Sequence, residues 1–114
     1  RQLDELATYV GIIAEADVGM VRGVENSSDE RDALRLSMWV APDARGQGVG
    51  EALIRRLVDW ARAAGHRRLL LDVADGNLPA IRLYDRMGFQ PTGVTGALPP
   101  PRAHVLEHQR ALKL

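Results

Sequence analysis

A short stretch near the middle of the chain is dense in glycine and reads Ala44-Arg45-Gly46-Gln47-Gly48-Val49-Gly50. Glycine has no Cβ, so its backbone N–H groups can approach a bulky ligand closely. If a helix begins here, its first N–H groups lack helical partners and, with the helix dipole, favour a bound anion. The spacing therefore indicates a phosphate-binding loop, and a tight turn that holds no ligand is the alternative.

Two nucleotide-binding motifs do not fit this stretch. The dinucleotide fingerprint Gly-x-Gly-x-x-Gly accommodates Gly46 and Gly48 but requires glycine where the chain has Glu51. The P-loop motif ends in Gly-Lys-Ser/Thr, and the only lysine of the chain is Lys113. The remaining interpretation is a strand, a glycine loop and a helix whose N-terminus faces an anion.

A second segment, further along, also contains residues of chemical interest. Asn77 is a good N-cap residue, Pro79 is tolerated in a first helical turn, and Gly88 is a typical helix end. Tyr84 follows Asn77 by about two helical turns, so both residues lie near one face of the predicted helix. From the residues alone, Tyr84 is best interpreted as a core residue and Asn77 as a cap.

Hydrophobic patterning predicts the elements that must position these residues. Apolar and β-branched runs predict strands at 8–14, 18–24, 34–40, 68–74, 89–94 and 104–112. Helical periodicity predicts helices at 49–64 and 78–87. Polar, glycine and proline composition predicts connections at 15–17, 25–32 and 95–101. The order βββαβαββ predicts an α+β fold with a mixed, mostly antiparallel sheet flanked by helices.

Length and composition restrict the class of protein. A chain of 114 residues fits a single domain, residues 1–114, and 46% hydrophobic with 26% charged residues indicates a globular fold. Fifteen basic and fifteen acidic residues cancel, which gives no support to nucleic-acid binding. The chain has no cysteine and no apolar run long enough to span a bilayer. We therefore expect a cytoplasmic protein without nucleic-acid or membrane partners.

Both segments resemble those of one enzyme family, the GCN5-related N-acetyltransferases (GNAT). Residues 40–50 look like the acetyl-CoA loop of that family, whose core Gln/Arg-x-x-Gly-x-Gly/Ala is filled by Arg45, Gly48 and Gly50. The second family segment, Asn-x-x-Ala-x-x-Leu-Tyr-x-x-x-Gly-Phe, is matched in register by Asn77, Ala80, Leu83, Tyr84, Gly88 and Phe89. The resemblance extends over about residues 8–112.

The resemblance implies a GNAT-like fold and an acetyl-CoA-dependent N-acetyltransferase acting on a primary amine of a small molecule, peptide or protein. It implies that the strand ending at 38–40 separates from the strand 68–74, that the pantetheine pairs with the backbone left open there, and that the pyrophosphate lies on the glycine loop. Tyr84 would protonate the departing thiolate, a role open to a phenol of ordinary pKa about 10. The Trp39 side chain is interpreted as a core or surface-covering aromatic. The implied cofactor-binding residues are Met38, Trp39, Val40, Arg45, Gly46, Gln47, Gly48, Val49, Gly50, Asn77 and Tyr84.

The sequence departs from the family pattern at its N-terminal end. Relatives have a strand and one or two helices ahead of the strand at 8–14, where this chain, which begins with Arg1, has only residues 1–6. Those helices help to form the acceptor pocket in relatives. The alternative function is therefore a non-catalytic acyl-CoA-binding domain. Edge pairing by the last strand would also be compatible with a homodimer.

The sequence does not identify a general base, and it predicts no metal. Glu25, Asp72 and Glu107 are candidate bases, with a water relay as the alternative. His104 and His108 are predicted on one face of the last strand. Two histidines without a third ligand make a poor metal site, so no metal is expected.

Overall fold

The computed structural model describes residues 7–15, 19–26, 33–46 and 48–114. Its strands are β1 (Ala7–Glu15), β2 (Gly19–Asn26), β3 (Ala33–Val40), β4 (Arg68–Ala74), β5 (Gln90–Ala97) and β6 (Leu106–Lys113). Its helices are α1 (Val49–Ala63) and α2 (Leu78–Met87), and a short 3-10 turn, Pro42–Ala44, follows β3. The predicted succession βββαβαββ is confirmed.

The strands form one sheet in the order β1-β2-β3-β4-β6-β5. β3 and β4 are parallel, because α1 makes the crossover between them, and every other neighbouring pair is antiparallel. This confirms the predicted α+β class and the mixed, mostly antiparallel sheet. The glycine loop and the Asn77 segment therefore leave the sheet from adjacent strands, β3 and β4.

Both helices pack on the same face of the sheet. One side of the amphipathic helix α1 is buried, and it consists of Leu53, Ile54, Leu57, Val58 and Ala61. The same cluster includes alternate residues of the central strands, namely Val21, Leu34, Leu36, Leu69, Leu71 and Val73. Tyr84 of α2 and the nearby Phe89 complete it. Residues between these along each strand point to the other side of the sheet, which is called the opposite face below.

The last two strands differ from their predicted bounds. Thr95–Ala97 falls in the predicted loop but belongs to β5, because it pairs with β6 beyond a bulge that follows Pro91. β6 begins at Leu106, so His104 lies in a turn and not on a strand face with His108. Pairing with a neighbouring strand outweighs the weak strand propensity of this glycine-rich segment.

The strands before β3 also end later than predicted. Glu25 and Asn26 belong to β2, and Glu25 pairs with Leu34 of β3. Glu15 belongs to β1. The rest of these two connections lies outside the described residues. Within the described ranges, no helix is long and apolar enough to cross a membrane.

Candidate active site

The parallel strands β3 and β4 pair only along their first residues. The pairs are Ala33 with Arg68, Leu34 with Leu69, and Arg35 with Leu70. Beyond these pairs the two strands separate, although β3 stays paired with β2 as far as Val40 and β4 stays paired with β6 as far as Ala74. The edges of 36–40 and 71–74 that face each other are therefore not bonded to each other. They form an open cleft at the carboxyl ends of both strands.

Gly46 and Gly48 shape the loop beside this cleft. Both have φ of 80°, in the left-handed region that favours glycine, and a Cβ on either would meet nothing within 4 Å. Gly48 is the N-cap of α1 without a side-chain cap, and the first helical hydrogen bond runs from Ala52 N to Gly48 O. Side chains at these two positions would therefore occupy open space at the start of α1, where the first N–H groups of a helix lack helical partners.

Gly50 is glycine for a different reason. A Cβ at this position would lie 3.1 Å from Leu83 Cδ2 and 3.3 Å from Met38 Cε, which is tighter than ordinary contact. The first turn of α1 therefore packs closely against α2 and β3, and Val49 packs against the same core. Val49 and Gly50 offer only backbone N–H groups to a ligand, because their side-chain positions are used in packing.

Arg45 fastens the start of the loop to the end of β3. Its Nε donates a hydrogen bond of 3.3 Å to Val40 O. The side chain is exposed, so its terminal guanidinium nitrogens face solvent beside the loop. Gln47 lies outside the described residues, and its predicted backbone contact stays a prediction.

Asn77 is the N-cap residue of α2, at the end of β4. Its carbonyl accepts a hydrogen bond of 3.0 Å from Ile81 N, and its own N–H donates to Ala74 O at 3.2 Å. Its side chain is exposed and makes no capping hydrogen bond. The predicted cap is therefore provided by the backbone, and the side-chain amide is left available to a ligand.

Tyr84 is a core residue with only 7% of its surface exposed. Its ring packs against Phe89, with centroids 5.6 Å apart and the planes at 60°. Burial raises the pKa of the Tyr84 hydroxyl above the ordinary value of 10.0, because the phenolate is disfavoured where water is excluded. The hydroxyl therefore keeps its proton at neutral pH.

Trp39 lies near the end of β3 and points to the opposite face. Its surface is 50% exposed, so the indole is not part of the core. Its cross-strand partner is Met20, whereas the neighbouring Met38 points to the helix-covered face and packs against the core. Neither motif includes Met20. The alternation of side chains along β2, together with antiparallel pairing of β2 with β3, would have predicted that Met20 lies next to Trp39.

The candidate bases have different surroundings. Asp72 Oδ2 lies 2.8 Å from Arg35 Nη1, and this ion pair joins β4 to β3 where their backbone pairing ends. Glu107 is half-buried on β6, and the side chain of Glu25 lies outside the described part of the chain. Asp72 thus has a structural partner, and the base stays unassigned.

His108 makes contacts within the fold. Its Nε2 lies 2.7 Å from Asp75 Oδ1 and its Nδ1 lies 3.3 Å from Thr95 Oγ1, so it ties β6 to β5 and to the loop after β4. His104 is exposed in the turn before β6. Among the residues that the structure describes, no group of three or more His, Cys, Asp or Glu could hold a metal ion.

Comparison with known protein families agrees with this geometry. The model of the acetyltransferase (GNAT) family matches residues 2–89, which include β3, the glycine loop, β4 and α2. The chain therefore belongs to the GNAT acetyltransferase family, as the resemblance of the two segments indicated.

Individual relatives are similar to most of this chain in sequence or in structure. The streptothricin acetyltransferase of Streptomyces lavendulae is 37% identical over 101 residues, which are 89% of this chain and 53% of that protein. The structure of a ribosomal-protein-alanine N-acetyltransferase from Brucella melitensis is 26% identical with a TM-score of 0.77, over 90% of this chain and 67% of that chain. The structure of yncA from Salmonella typhimurium with its cofactor acetyl-CoA is 25% identical with a TM-score of 0.73, over 85% of this chain and 58% of that chain. The chain thus spans about half the length of the streptothricin relative.

Proposed function

We propose that the protein is an N-acetyltransferase that transfers the acetyl group of acetyl-CoA to a primary amine of a small molecule, peptide or protein. The observation that supports this most strongly is the cleft between β3 and β4. The N-terminus of α1, which follows β3 and has no side-chain cap, lies at one side of the cleft. Asn77, which follows β4, lies at the other side.

The residues around the cleft fit the parts of acetyl-CoA. The space next to Gly46 and Gly48 suits a pyrophosphate, because it adjoins the N-terminus of α1 and, among the described residues that are not their chain neighbours, no side chain fills it. The edge of β3 beyond Arg35 has backbone N–H and C=O groups for the amides of the pantetheine. The exposed amide of Asn77 would contact the same arm. When bound, the cofactor supplies an acetyl thioester that reacts with amines.

The chemistry requires the movement of two protons. A bond forms between the amine nitrogen and the acetyl carbon, the carbon–sulfur bond breaks, and the products are an amide and the free thiol of CoA. The hydroxyl of Tyr84, kept neutral by burial, would donate a proton to the departing sulfur. The amine would lose its proton through water or through a base that is not assigned, since Asp72 is paired with Arg35.

The names of relatives suggest two kinds of acceptor. One is the amine of an antibiotic, after the streptothricin acetyltransferase, and the other is a protein N-terminus, after the ribosomal-protein-alanine N-acetyltransferase. A cytoplasmic location and a homodimer stay predictions.

The proposal is tested in two steps on the same protein. Calorimetric titration with acetyl-CoA measures cofactor binding, and thiol release with a panel of amines, peptides and an aminoglycoside-like polyamine measures transfer. We expect saturable binding and amine-dependent thiol release. Absence of binding at millimolar acetyl-CoA would contradict the proposal. Binding without transfer to any amine would instead favour the non-catalytic acyl-CoA-binding domain.

A further inference from the structure

Two large apolar side chains are exposed side by side at the edge of the cleft. Trp39 on β3 is 50% exposed and Met20 on β2 is 38% exposed. They are direct cross-strand partners, so they lie on the same face of the sheet. That face is the opposite face, because Met38 and Val21, their neighbours in sequence, point into the helix-covered core. Exposed apolar side chains placed together at a reaction site are typical of ligand contacts.

A cation lies next to this apolar pair. Arg22 follows Met20 by two residues on β2, so its side chain is also on the opposite face, and it is exposed. Its cross-strand partner is Ser37, an exposed residue of β3 at the edge of the cleft. Arg22 makes no ion pair with any residue that the structure describes, whereas the nearby Arg35 is already paired with Asp72. Among the described residues of this surface, Arg22 is therefore an exposed cation without an acidic partner.

From this arrangement we infer that the opposite face beside the cleft, formed by Met20, Arg22, Ser37 and Trp39, recognises an acceptor that has both an apolar side chain and a carboxylate. The acceptor class is an α-amino acid with an apolar side chain. This inference rests on the proposed function, because it assumes that the acetyl group is held in the cleft.

The geometry accounts for each part of such an acceptor. The glycine loop and Tyr84 lie on the helix side, so the acceptor amine enters the cleft from the opposite face. From there, the side chain of the amino acid would lie on Trp39 and Met20. A guanidinium group forms paired hydrogen bonds with a carboxylate, and β2 lies one strand spacing, about 4.8 Å, from β3. Arg22 is therefore within reach of a carboxylate on a small acceptor, and it would repel a polycation.

Tryptophan fluorescence measures this binding directly. The chain has two tryptophans, Trp39 and Trp60, and Trp60→Phe leaves Trp39 as the only one while keeping an aromatic ring against His66. L-Leucine is titrated onto this variant saturated with CoA. We expect a saturable change in Trp39 emission. L-Leucinamide, which has the same side chain without the carboxylate, should bind more weakly, and spermidine should give no change.

Variants then separate the carboxylate contact from the apolar contact. Arg22→Gln should weaken L-leucine binding about 10- to 100-fold, because a charge-assisted contact is lost, and should leave L-leucinamide binding unchanged. Trp39→Ala, measured by calorimetry, should weaken both ligands. Arg62→Gln, which removes an exposed arginine near the C-terminal end of α1, is the matched control and should change neither.

The outcomes distinguish this inference from the proposed function. If other amines are acetylated while L-leucine gives no emission change, or if Arg22→Gln weakens both leucine ligands equally, the inference is overturned and the acetyltransferase remains. If CoA itself does not bind, the proposed function fails and the inference fails with it. Circular dichroism of each variant shows whether it is folded, and L-leucinamide binding serves as the internal reference for Arg22→Gln.

Discussion

Tyr84 packs in the core, and we propose a chemical role for the hydroxyl of the same side chain. The ring belongs to the core cluster and contacts Phe89, which confirms the interpretation of Tyr84 as a core residue from the sequence alone. The same burial keeps the hydroxyl neutral. The core interpretation and the proposed proton transfer therefore do not exclude each other, since packing uses the ring and proton transfer would use the hydroxyl.

Replacing Tyr84 with phenylalanine keeps the ring and removes only the hydroxyl. We expect kcat to fall about 100-fold or more, because a general acid is lost, with the Kd for acetyl-CoA changed less than about twofold. Thiol release measures kcat and calorimetry measures Kd. If Kd rises as much as kcat falls, the hydroxyl binds the cofactor and does not transfer a proton.

The pH dependence of kcat gives an independent test of the same residue. A general acid acts in its protonated form, and the pKa of Tyr84 is raised above 10.0. Tyr84 should therefore cause no decrease of kcat centred below pH 10.0, and any alkaline decrease that it causes should have its midpoint above that value. A decrease centred below pH 10.0 that disappears in Tyr84→Phe would contradict this assignment.

Residue spacing identified Asn77 and Tyr84 but not how their side chains are used. Whether the Asn77 amide caps α2 depends on a backbone φ of −80° and ψ of 69°, which spacing does not determine. Arg22 and Met20 belong to no motif, and only their pairing with β3 places them at the cleft.

At the scale of elements, the glycine loop and the first turn of α1 act as one unit. Two of its glycines leave space beside the helix N-terminus, and the third allows α1 to approach α2 and β3. The motif predicted all three as ligand contacts, because a sequence pattern does not distinguish an open position from a tightly packed one.

Gly48→Val tests the ligand-facing position. Valine is strained at a φ of 80° and its side chain would fill the space beside the N–H groups, so we expect acetyl-CoA binding to weaken about tenfold or more. Gly65→Val is the matched control. Its φ is 91° and its Cβ also meets nothing within 4 Å, but it follows the C-terminal end of α1. Both variants should lose about 1–2 kcal/mol of stability. Equal losses of acetyl-CoA affinity in the two variants would contradict binding of the pyrophosphate by the glycine loop.

An ion-pair network joins the two helices next to this loop. Glu51 accepts a hydrogen bond of 2.6 Å from Arg55 Nη2, and its other oxygen lies 3.3 Å from Arg86 Nη2 of α2. The hydrogen bond from Arg55, and then that from Arg86, holds the pKa of Glu51 below its ordinary 4.5. Because the folded-state pKa is the lower one, this stabilisation is present above pH 4.5 and is lost as the pH falls through the folded value.

Glu51→Gln should therefore lower Tm slightly at pH 7, and the difference from wild type should shrink below pH 4.5. Asp59→Asn, at an exposed position on the same helix, is the control and should show no such pH-dependent difference. Thermal melts of the three proteins across this pH range measure the effect. A difference in Tm that persists unchanged in acid would mean that Glu51 acts by packing and not by its charge.

At the scale of the whole molecule, the succession of strands and helices follows from hydrophobic periodicity, and the structure confirms it. The separation of β3 from β4 does not follow from periodicity, because the pattern of apolar residues along each strand does not mark where pairing between the two strands stops. It was expected only from the family resemblance. The sequence also did not predict the extension of β5 to Ala97. This extension depends on pairing with β6, and the low strand propensity of Gly93 and Gly96 predicts a loop instead.

The central claim is that this cleft transfers an acetyl group from acetyl-CoA to an amine. The most direct measurement is incubation with acetyl-CoA labelled in its acetyl group and a mixture of primary amines, followed by mass spectrometry of the products. We expect the label to appear as an amide on at least one amine, together with an equal amount of free CoA. Tyr84→Phe should slow the formation of this labelled amide. Label that stays on the cofactor, or is released only as acetate, while acetyl-CoA binds, would contradict it.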